Sequence, residues 1–362
     1  MIFNFRKMHT SSVVGFVDKK RSASAVLIRH VLDQMTQLKN VLPRTAFIAA
    51  IAVFVMPSQP VIAAEGGGGF YLLGQRGQGA AVLLTVEGVF FAMPTYFYSG
   101  DVSGSQSLEV GGAATLGLDA DVQVVMPTAM WMTPVDFLGG DLGFSATFVY
   151  GNADLAANFA VSIPEIGDTI FGDSDERWAT GDPVASAFLG WHGENYAYAL
   201  TSSVNIPAGD YDVGRLSNVA INYWALDVTA AGTWLFPDSQ IELSGATGFT
   251  FNDENDDTEY ETGTEFHLEA AAFYQFSQSF SAGLNGYYYK QLSGDSGEGA
   301  VLGNLKGEVA AIGPGLSGTF MVGPAPVSMR FSYYREFSAE KRLEGNVAWL
   351  TFSIPLWVPS GS

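Results

Sequence analysis

The feature that most constrains this chain is a long alternation of apolar and other side chains. The stretch TEFHLEAAAFYQF, which begins at Thr264, has an apolar residue at every second position, and Glu265, His267 and Glu269 are among the residues between them. A period of two is typical of a β-strand with two different faces. The segment therefore predicts a strand with one apolar face and one face that carries charge.

The same alternation recurs in QIELSGATGFTF from Gln240, NYAYALTSSVNI from Asn195 and AWLTFSIPLW from Ala348. A strand that crosses a membrane needs about ten tilted residues, apolar outside and mixed inside. Only a closed barrel leaves no unpaired strand backbone in lipid. We therefore predict an all-β protein, a transmembrane antiparallel β-barrel with its apolar side against lipid. A soluble sandwich is the alternative, and it would need a second sheet to cover the aromatic face.

The spacing of the connections predicts the strand number. Outer-membrane barrels have short periplasmic turns at one end and long extracellular loops at the other. Short connections occur at 133–140, 192–195, 236–240, 276–280 and 323–327, and long ones at 100–106, 152–183, 207–218, 253–261, 293–301 and 338–343. They alternate strictly if residues 107–132 and 302–322 each form one long strand with a kink or bulge at its glycines. That pattern predicts 12 strands, and a hairpin in both segments would give 14.

The N-terminal region has the pattern of a secretory signal. TAFIAAIAVFVMP, from Thr45, is an uncharged apolar run that follows Lys39 and Arg44 and precedes VIAAE, whose small residues Ala63 and Ala64 are the expected cleavage site. This order of basic, apolar and small residues marks a cleaved signal peptide, and the run is too short to span a bilayer comfortably. We expect residues 1–64 to be an N-terminal extension plus signal, with the signal proper at about 35–64.

Charge and cysteine content exclude some functions. Removing residues 1–64 takes away eight of the 17 basic residues and two of the 37 acidic ones, so the mature chain would keep nine and 35 and carry a net charge of −26. Such a field disfavours binding to nucleic acid. The absence of cysteine excludes disulfides and thiolate chemistry.

The mature chain then divides into two parts. Residues 65–87 form a glycine-rich N-terminal segment, which could thread the lumen as a plug or hang in the periplasm. Residues 88–358 form the barrel.

Several longer stretches resemble a known family. They are GFYLLGQRG, TGDPVASAFLGW, GDYDVGRLSNVAINYW, GFTFNDENDDTEYETGTEFHLE, GYYYKQLSGDSGEGA, KGEVAAIGPGLSGTF and YYREFSAEKRLEG. Together they are similar to the MetA-pathway phenol-degradation family of outer-membrane proteins. The chain departs from that family where AAVLLTVEG stands in place of a proline after the first glycine-rich block. The resemblance implies an outer-membrane barrel with a role in transport, often encoded beside the catabolism of aromatic or other hydrophobic compounds, and it supplies no catalytic residues.

Strand parity predicts which charged side chains face the lumen. The predicted lumen-facing residues are Glu242, Glu265, His267, Glu269, Asn285, Lys306, Glu308 and Arg330. They could form ion pairs that fill a narrow barrel, since charges away from water are paired, or a polar constriction that sets selectivity. A metal site formed by His267 and a glutamate is a third interpretation, but a single histidine in a strand is usually structural, so we predict no metal and no cofactor.

The longest predicted loop, 152–183, combines acidic and apolar residues. We expect Ile170, Phe171 and Trp178 to offer an apolar landing site for solutes, unless the loop uses them for its own small core. Expected partners are outer-membrane lipid and lipopolysaccharide, the barrel assembly machinery and small hydrophobic solutes, with an undetermined oligomeric state.

Three classes of function fit these patterns. The first is an outer-membrane channel for small hydrophobic or aromatic compounds. The second is a general or polar-solute porin, and the third is a structural or adhesive surface protein without transport activity. We predict no enzyme, because only His267 of the two mature histidines lies mid-strand facing inward and no Gly-x-Ser-x-Gly motif occurs. Of these classes, the channel for hydrophobic compounds fits the residues best.

Overall fold

A computed structural model describes residues 68–83, 86–110, 113–163, 167–300, 303–323 and 325–359. For 103–110, 113–116, 158–163 and 167–171 it describes the backbone alone. The described residues all lie in one compact unit, Gln59–Ser362. The predicted extension and signal, 1–64, lie outside the described residues. No helix in the described part of the chain is long and apolar enough to cross a bilayer.

The described residues form fifteen antiparallel β-strands in one sheet. They are β1 (Gly88–Val110), β2 (Ala113–Val125), β3 (Thr128–Phe137), β4 (Gly140–Thr147), β5 (Tyr150–Ile163), β6 (Gly167–Thr180), β7 (Val184–His192), β8 (Tyr196–Asn205), β9 (Ala225–Phe236), β10 (Ile241–Asn252), β11 (Glu265–Ser277), β12 (Phe280–Gln291), β13 (Glu308–Val322), β14 (Ala325–Glu340) and β15 (Glu344–Trp357). The sheet closes where β1 pairs with β15, from Val89 opposite Trp357 to Asp101 opposite Glu344.

Six of these strands are the halves of three longer ones. β2 and β3 both pair with β1 and are separated only by Met126 and Pro127, where proline has no N–H to donate. β4 and β5 are interrupted at 148–149, where Phe148 N donates to the carbonyl of Pro127, and β6 and β7 are interrupted at 181–183, which ends in Pro183. The barrel therefore has twelve strands, which confirms the preferred number and excludes the alternative of 14.

The three interruptions lie side by side in the wall. Single backbone hydrogen bonds bridge them, from Met126 N to Pro94 O at 2.9 Å, from Phe148 N to the Pro127 carbonyl at 3.0 Å, and from Gly181 N to Val149 O at 2.9 Å. Neighbouring strands therefore share fewer backbone hydrogen bonds at these three interruptions than in the regular parts of the sheet. We call residues 126–127, 148–149 and 181–183 the wall break.

The exposed fractions of the side chains show which face of each strand lies on the outside of the barrel. In β11, Glu265, His267 and Glu269 are 1–2% exposed, whereas Leu268 between them is 44% exposed. Large apolar residues are exposed on the same outer face around the barrel, among them Trp131, Phe144, Leu200, Leu243, Leu284, Ile312 and Leu316. An exposed apolar belt around a closed barrel is the surface that a bilayer covers. The protein is an outer-membrane β-barrel that contacts membrane lipid.

Two predicted loops are strands instead. Residues 100–106 lie within β1, and residues 152–183 contain most of the β5–β6 hairpin. β1 has 23 residues, more than twice the roughly 9–11 that a bilayer requires, so part of it stands in water. There a polar, glycine-rich sequence still forms a strand, because the backbone ladder is satisfied whatever the side chains are. A polar composition therefore gave a wrong loop prediction at both places.

The structure also tests the kinks or bulges that were predicted at the glycines of residues 107–132 and 302–322. Gly117 has a φ of +79° beside a register shift in the β1–β2 pairing, so that segment bulges and does not turn. Residues 313–315 run within β13, whose register shift falls between Ala310 and Ala311. Neither site forms a hairpin.

Candidate functional site

The N-terminal segment 68–83 lies inside the barrel, against inward-facing side chains of β10 and β11. The carboxylate of Glu269 accepts hydrogen bonds from the Tyr71 hydroxyl at 2.9 Å, from Gly74 N at 3.0 Å and from Arg76 N at 2.9 Å. The Glu242 carboxylate accepts one from Gly79 N at 2.7 Å. Two buried carboxylates on neighbouring strands β10 and β11 thus hold the segment through its backbone N–H groups, and charge-assisted bonds of this kind are the strong ones.

Other strands bind the carbonyl groups of the same segment. Trp349 Nε1 donates to Leu73 O at 2.9 Å, the Tyr334 hydroxyl donates to Gly74 O at 3.0 Å, and Arg330 Nη1 donates to Gln78 O at 2.7 Å. Gly74 has a φ of +82°, and a Cβ there would lie 2.7 Å from the Tyr334 ring. The tight contact explains why glycine-rich sequence is needed in this segment.

His267 belongs to a buried polar cluster beneath the segment. Its Nε2 lies 2.9 Å from Asp227 Oδ2, and its ring stacks on Tyr71 with centroids 3.5 Å apart. The hydroxyls of Thr229 and Thr250 donate to the same aspartate. Because every polar member but one nitrogen of His267 has a partner, the cluster has the form of a structural network.

Six of the eight predicted lumen residues lie on the inner face. Glu242, Glu265, His267, Glu269 and Asn285 are buried, and Arg330 is half-buried. Their role in selectivity stays a prediction. The other two were wrong, since Lys306 is exposed in the loop before β13, and Glu308 lies on the outer face with Lys290 and Tyr288. Val309 is buried on the inner face, and adjacent residues of a strand face opposite sides, so Glu308 points outward.

An apolar cavity lies beside the segment 68–83. It has a volume of about 210 Å³ and is lined by β1, β2, β5, β12, β14, the β14–β15 turn, the loop 206–224 and the segment itself. Tyr96, Val122, Leu155, Leu216 and Leu343 are among its lining residues. An apolar cavity of roughly 150 Å³ is known to hold benzene. The space therefore matches a compound with one aromatic ring.

The loop 206–224 is held over the cavity by one buried carboxylate. Asp182, 4% exposed, accepts five hydrogen bonds, from Ala208 N, Gly209 N, Ile221 N, Asn222 N and the Asn205 side chain. Farther along the loop, Leu216 packs among inner-face residues of β2 and β5. The loop thus forms one wall of the cavity.

Three charged side chains line the cavity. Glu336, 2% exposed, accepts hydrogen bonds from the Tyr287 hydroxyl at 2.8 Å, the Tyr98 hydroxyl at 3.3 Å and Gly345 N at 2.6 Å. Arg215 is paired with Asp175, whose hydrogen bond raises the pKa of the guanidinium. The third, Arg342, lies in the turn between β14 and β15. Burial alone would lower its pKa, but the fields of nearby groups outweigh burial and raise the pKa, so Arg342 stays charged.

Of the predicted landing site, the structure describes only the side chain of Trp178, which does not line this cavity. Trp178 is 50% exposed and stacks on Tyr150, with ring centroids 5.6 Å apart. Ile170 and Phe171 lie on β6, and their side chains are outside the described residues. The part of the chain that the structure describes also contains no group of three His, Asp or Glu side chains arranged to hold a metal ion.

Sequence analysis missed several inward-facing residues whose position could have been predicted from the alternation of the strand. Asp227, Thr229 and Thr233 alternate in ALDVTAAGTW, and the same period puts Tyr287 and Tyr289 inward in GYYYKQ. No sequence signal marked Arg342, because the sequence of a charged turn is the same whether the turn is exposed to solvent or lies over a cavity. Its contact with Tyr289 depends on tertiary structure alone.

Comparison with known proteins identifies the family. The model of the family described as "Putative MetA-pathway of phenol degradation" matches residues 103–352, more than half of the chain. The chain belongs to this family. That phenol-degradation family assignment agrees with the resemblance seen in the sequence. No protein of curated function matches the chain.

Comparison with solved structures bears on the fold. The COG4313 outer membrane channel from Pseudomonas putida F1 is similar with a TM-score of 0.58 at 14% identity, over 77% of this chain and 98% of that chain. The transport unit of the autotransporter AIDA-I from Escherichia coli gives a TM-score of 0.42 at 13% identity, over 79% of this chain and 93% of the other. A Pseudomonas aeruginosa FadL homologue gives 0.36 at 10% identity, over 77% and 91%. Only the first is close enough to bear on the fold, and it too is an outer-membrane barrel.

Proposed function

We propose that this barrel admits small hydrophobic or aromatic compounds across the outer membrane and has no enzymatic activity. The observation that carries the proposal is the apolar cavity of single-ring size at one end of a lumen that the segment 68–83 fills. A lumen filled in this way favours a narrow path over a wide porin. The name of the COG4313 relative, an outer membrane channel, and the description of the family point the same way.

The contacts around the cavity favour an exit through the wall. At least seven hydrogen bonds, several to buried carboxylates at about 1.5–3 kcal/mol each, hold the segment 68–83 in the lumen. Between β2–β3, β4–β5 and β6–β7 the wall break is bridged by single backbone bonds worth about 0.5–1.5 kcal/mol each, and the hydrogen bonds at Asp182 and Pro183 go to β8 and the loop 206–224. Val124 lines the cavity immediately before the break, and Met126 and Val149 pack against its neighbours. A solute therefore leaves more easily sideways into lipid than through the plugged lumen.

Uptake by whole cells tests the proposal. A deletion strain is complemented with the wild type, with Ala153→Trp, which fills the cavity, or with Ala156→Trp, which lies on the opposite face of β5. We expect labelled toluene to enter with the wild type and Ala156→Trp, and uptake to fall to the deletion level with Ala153→Trp. Unchanged uptake in the deletion strain across a broad panel of apolar compounds contradicts the proposal.

Conductance separates the porin alternative. A planar bilayer holding the wild type should show little ion current, because the segment 68–83 occupies the lumen. A large and stable conductance to ions and passage of sugars would support a general porin instead. No transport of any solute would leave the structural or adhesive role.

Three further assignments accompany this proposal. We propose that the segment 68–83 acts as a plug, that the acidic outer loops contact lipopolysaccharide through bridging cations, and that the barrel assembly machinery inserts the chain. Co-purification of lipopolysaccharide that is lost on chelation of divalent cations would support the second assignment.

A further inference from the structure

Arg342 differs from every other charged residue that lines the cavity. Its Nη1 is buried and has no hydrogen-bond partner among the described residues. Glu336 has three donors, and Arg215 has the carboxylate of Asp175. A buried donor without an acceptor is rare in folded proteins and calls for an explanation.

The guanidinium of Arg342 lies over the ring of Tyr289. It lies 4.2 Å from the centroid of the Tyr289 ring. A cation placed over the face of an aromatic ring is attracted by the ring, so Tyr289 holds the guanidinium in place. The ring offers no acceptor oxygen to Nη1, so Nη1 is still able to donate to a molecule in the cavity that Arg342 lines.

We propose that Arg342 recognises the oxygen atom of a neutral, single-ring aromatic compound by donating a hydrogen bond from Nη1. The inference rests on the proposed function and names the class of substrate that the cavity selects. The apolar lining takes the ring, and Arg342 takes a carbonyl, ether or hydroxyl oxygen. A pocket with few polar groups among apolar walls selects ligands in this way.

The charges around Arg342 favour a neutral ligand over an anion. The carboxylates of Glu336 and Glu265 already act on this guanidinium. A ligand carboxylate would add a third negative charge beside one positive charge in a site shielded from water, where like charges repel strongly. A neutral oxygen accepts the same hydrogen bond without that repulsion.

Two probes of nearly equal shape test the inference. Acetophenone carries a carbonyl oxygen where ethylbenzene has a methylene group. Binding of both to the purified mature protein is measured by calorimetry for the wild type, for Arg342→Met and for Arg335→Met. Arg335 is the matched control, since it is an arginine of β14 with a 56% exposed side chain near Glu344, away from the cavity.

The expected result is selective. Arg342→Met should bind acetophenone about tenfold more weakly than the wild type and ethylbenzene within twofold of it, because only the ketone loses a hydrogen bond. Arg335→Met should bind both like the wild type. Equal changes for the two probes, or no change for either, overturn the inference while leaving the proposed function intact. If the wild type binds neither probe, the proposed function itself fails.

Two measurements on the wild type need no variant. The carbonyl stretch of bound ¹³C-labelled acetophenone should lie below its frequency in an alkane, as a hydrogen bond to a cation requires, and an unshifted band overturns the inference. Benzoate should bind more weakly than acetophenone. Tighter binding of benzoate overturns the assignment of a neutral substrate.

Discussion

Replacing Glu269 with glutamine should release the segment 68–83 without unfolding the barrel. Glu269 is the acceptor for Tyr71, Gly74 and Arg76, and it is 1% exposed. Glutamine keeps one acceptor oxygen and places an amide NH₂ where the other oxygen was. At least one of the three donors must then face another donor.

The magnitude follows from these three bonds. A hydrogen bond to a charged acceptor contributes about 1.5–3 kcal/mol, a neutral one about 0.5–1.5, and a buried donor left without a partner costs about 1–3. One lost bond and two weakened ones should therefore cost about 3–6 kcal/mol of docking free energy. The backbone ladder of β11 with β10 and β12 is unaffected, so the barrel stays closed.

Limited trypsin digestion is the assay. Arg76 is the only basic residue in 65–87, so cleavage there reports exposure of the segment. Glu269→Gln should be cut after Arg76 much faster than the wild type, and its barrel should still run at a heat-modifiable position on a gel. Glu308→Gln is the control, because Glu308 lies on the outer face and contacts Lys290 instead of the segment. Equal protection of Arg76 in the wild type and Glu269→Gln would refute the reasoning.

Three further outcomes are expected. Leu268→Arg should destabilise the barrel by about 2–4 kcal/mol in denaturant titration, whereas Leu268→Ile should not, because this residue faces lipid; equal stabilities would contradict the facing. Asp182→Asn should loosen the loop 206–224, since an amide cannot accept from all five donors, and trypsin should then cut faster at Arg215; unchanged cleavage would show that other contacts hold the loop. Mass spectrometry of protein from outer membranes should find a mature N-terminus near Ala64 or Glu65, and an intact residue 1 would exclude the predicted signal.

The sequence was informative where the two faces of a strand differ chemically. In β11, charged and apolar residues alternate, so the inward position of Glu265 and the outward position of Leu268 follow from the period alone. β13 offers no such contrast, because KGEVAAIGPGLSGTF has small or apolar residues on both faces. Parity was therefore wrong for Glu308. The larger size of outward Ile312 compared with inward Ala311 was the signal that could have corrected it.

The candidate site depends on contacts between segments distant in sequence. The cavity forms where the loop 206–224, the segment 68–73 and the β14–β15 turn meet, and no local pattern specifies that meeting. Asp182 illustrates the difficulty, since a Gly-Asp-Pro in sequence indicates a turn but not four hydrogen bonds from the loop 206–224 and a fifth from Asn205 at the end of β8. Sequence reasoning therefore reached the barrel and much of its inner face but not the cavity.

The most direct measurement locates a ligand inside the barrel. Crystals of the mature protein are soaked in bromobenzene, and anomalous scattering from bromine is measured. The account predicts a bromine peak within the cavity, between Tyr96, Leu155 and Leu216, and its loss in Ala153→Trp. Bromine confined to the lipid-facing surface, with the cavity empty, would contradict the claim that hydrophobic compounds enter the barrel here.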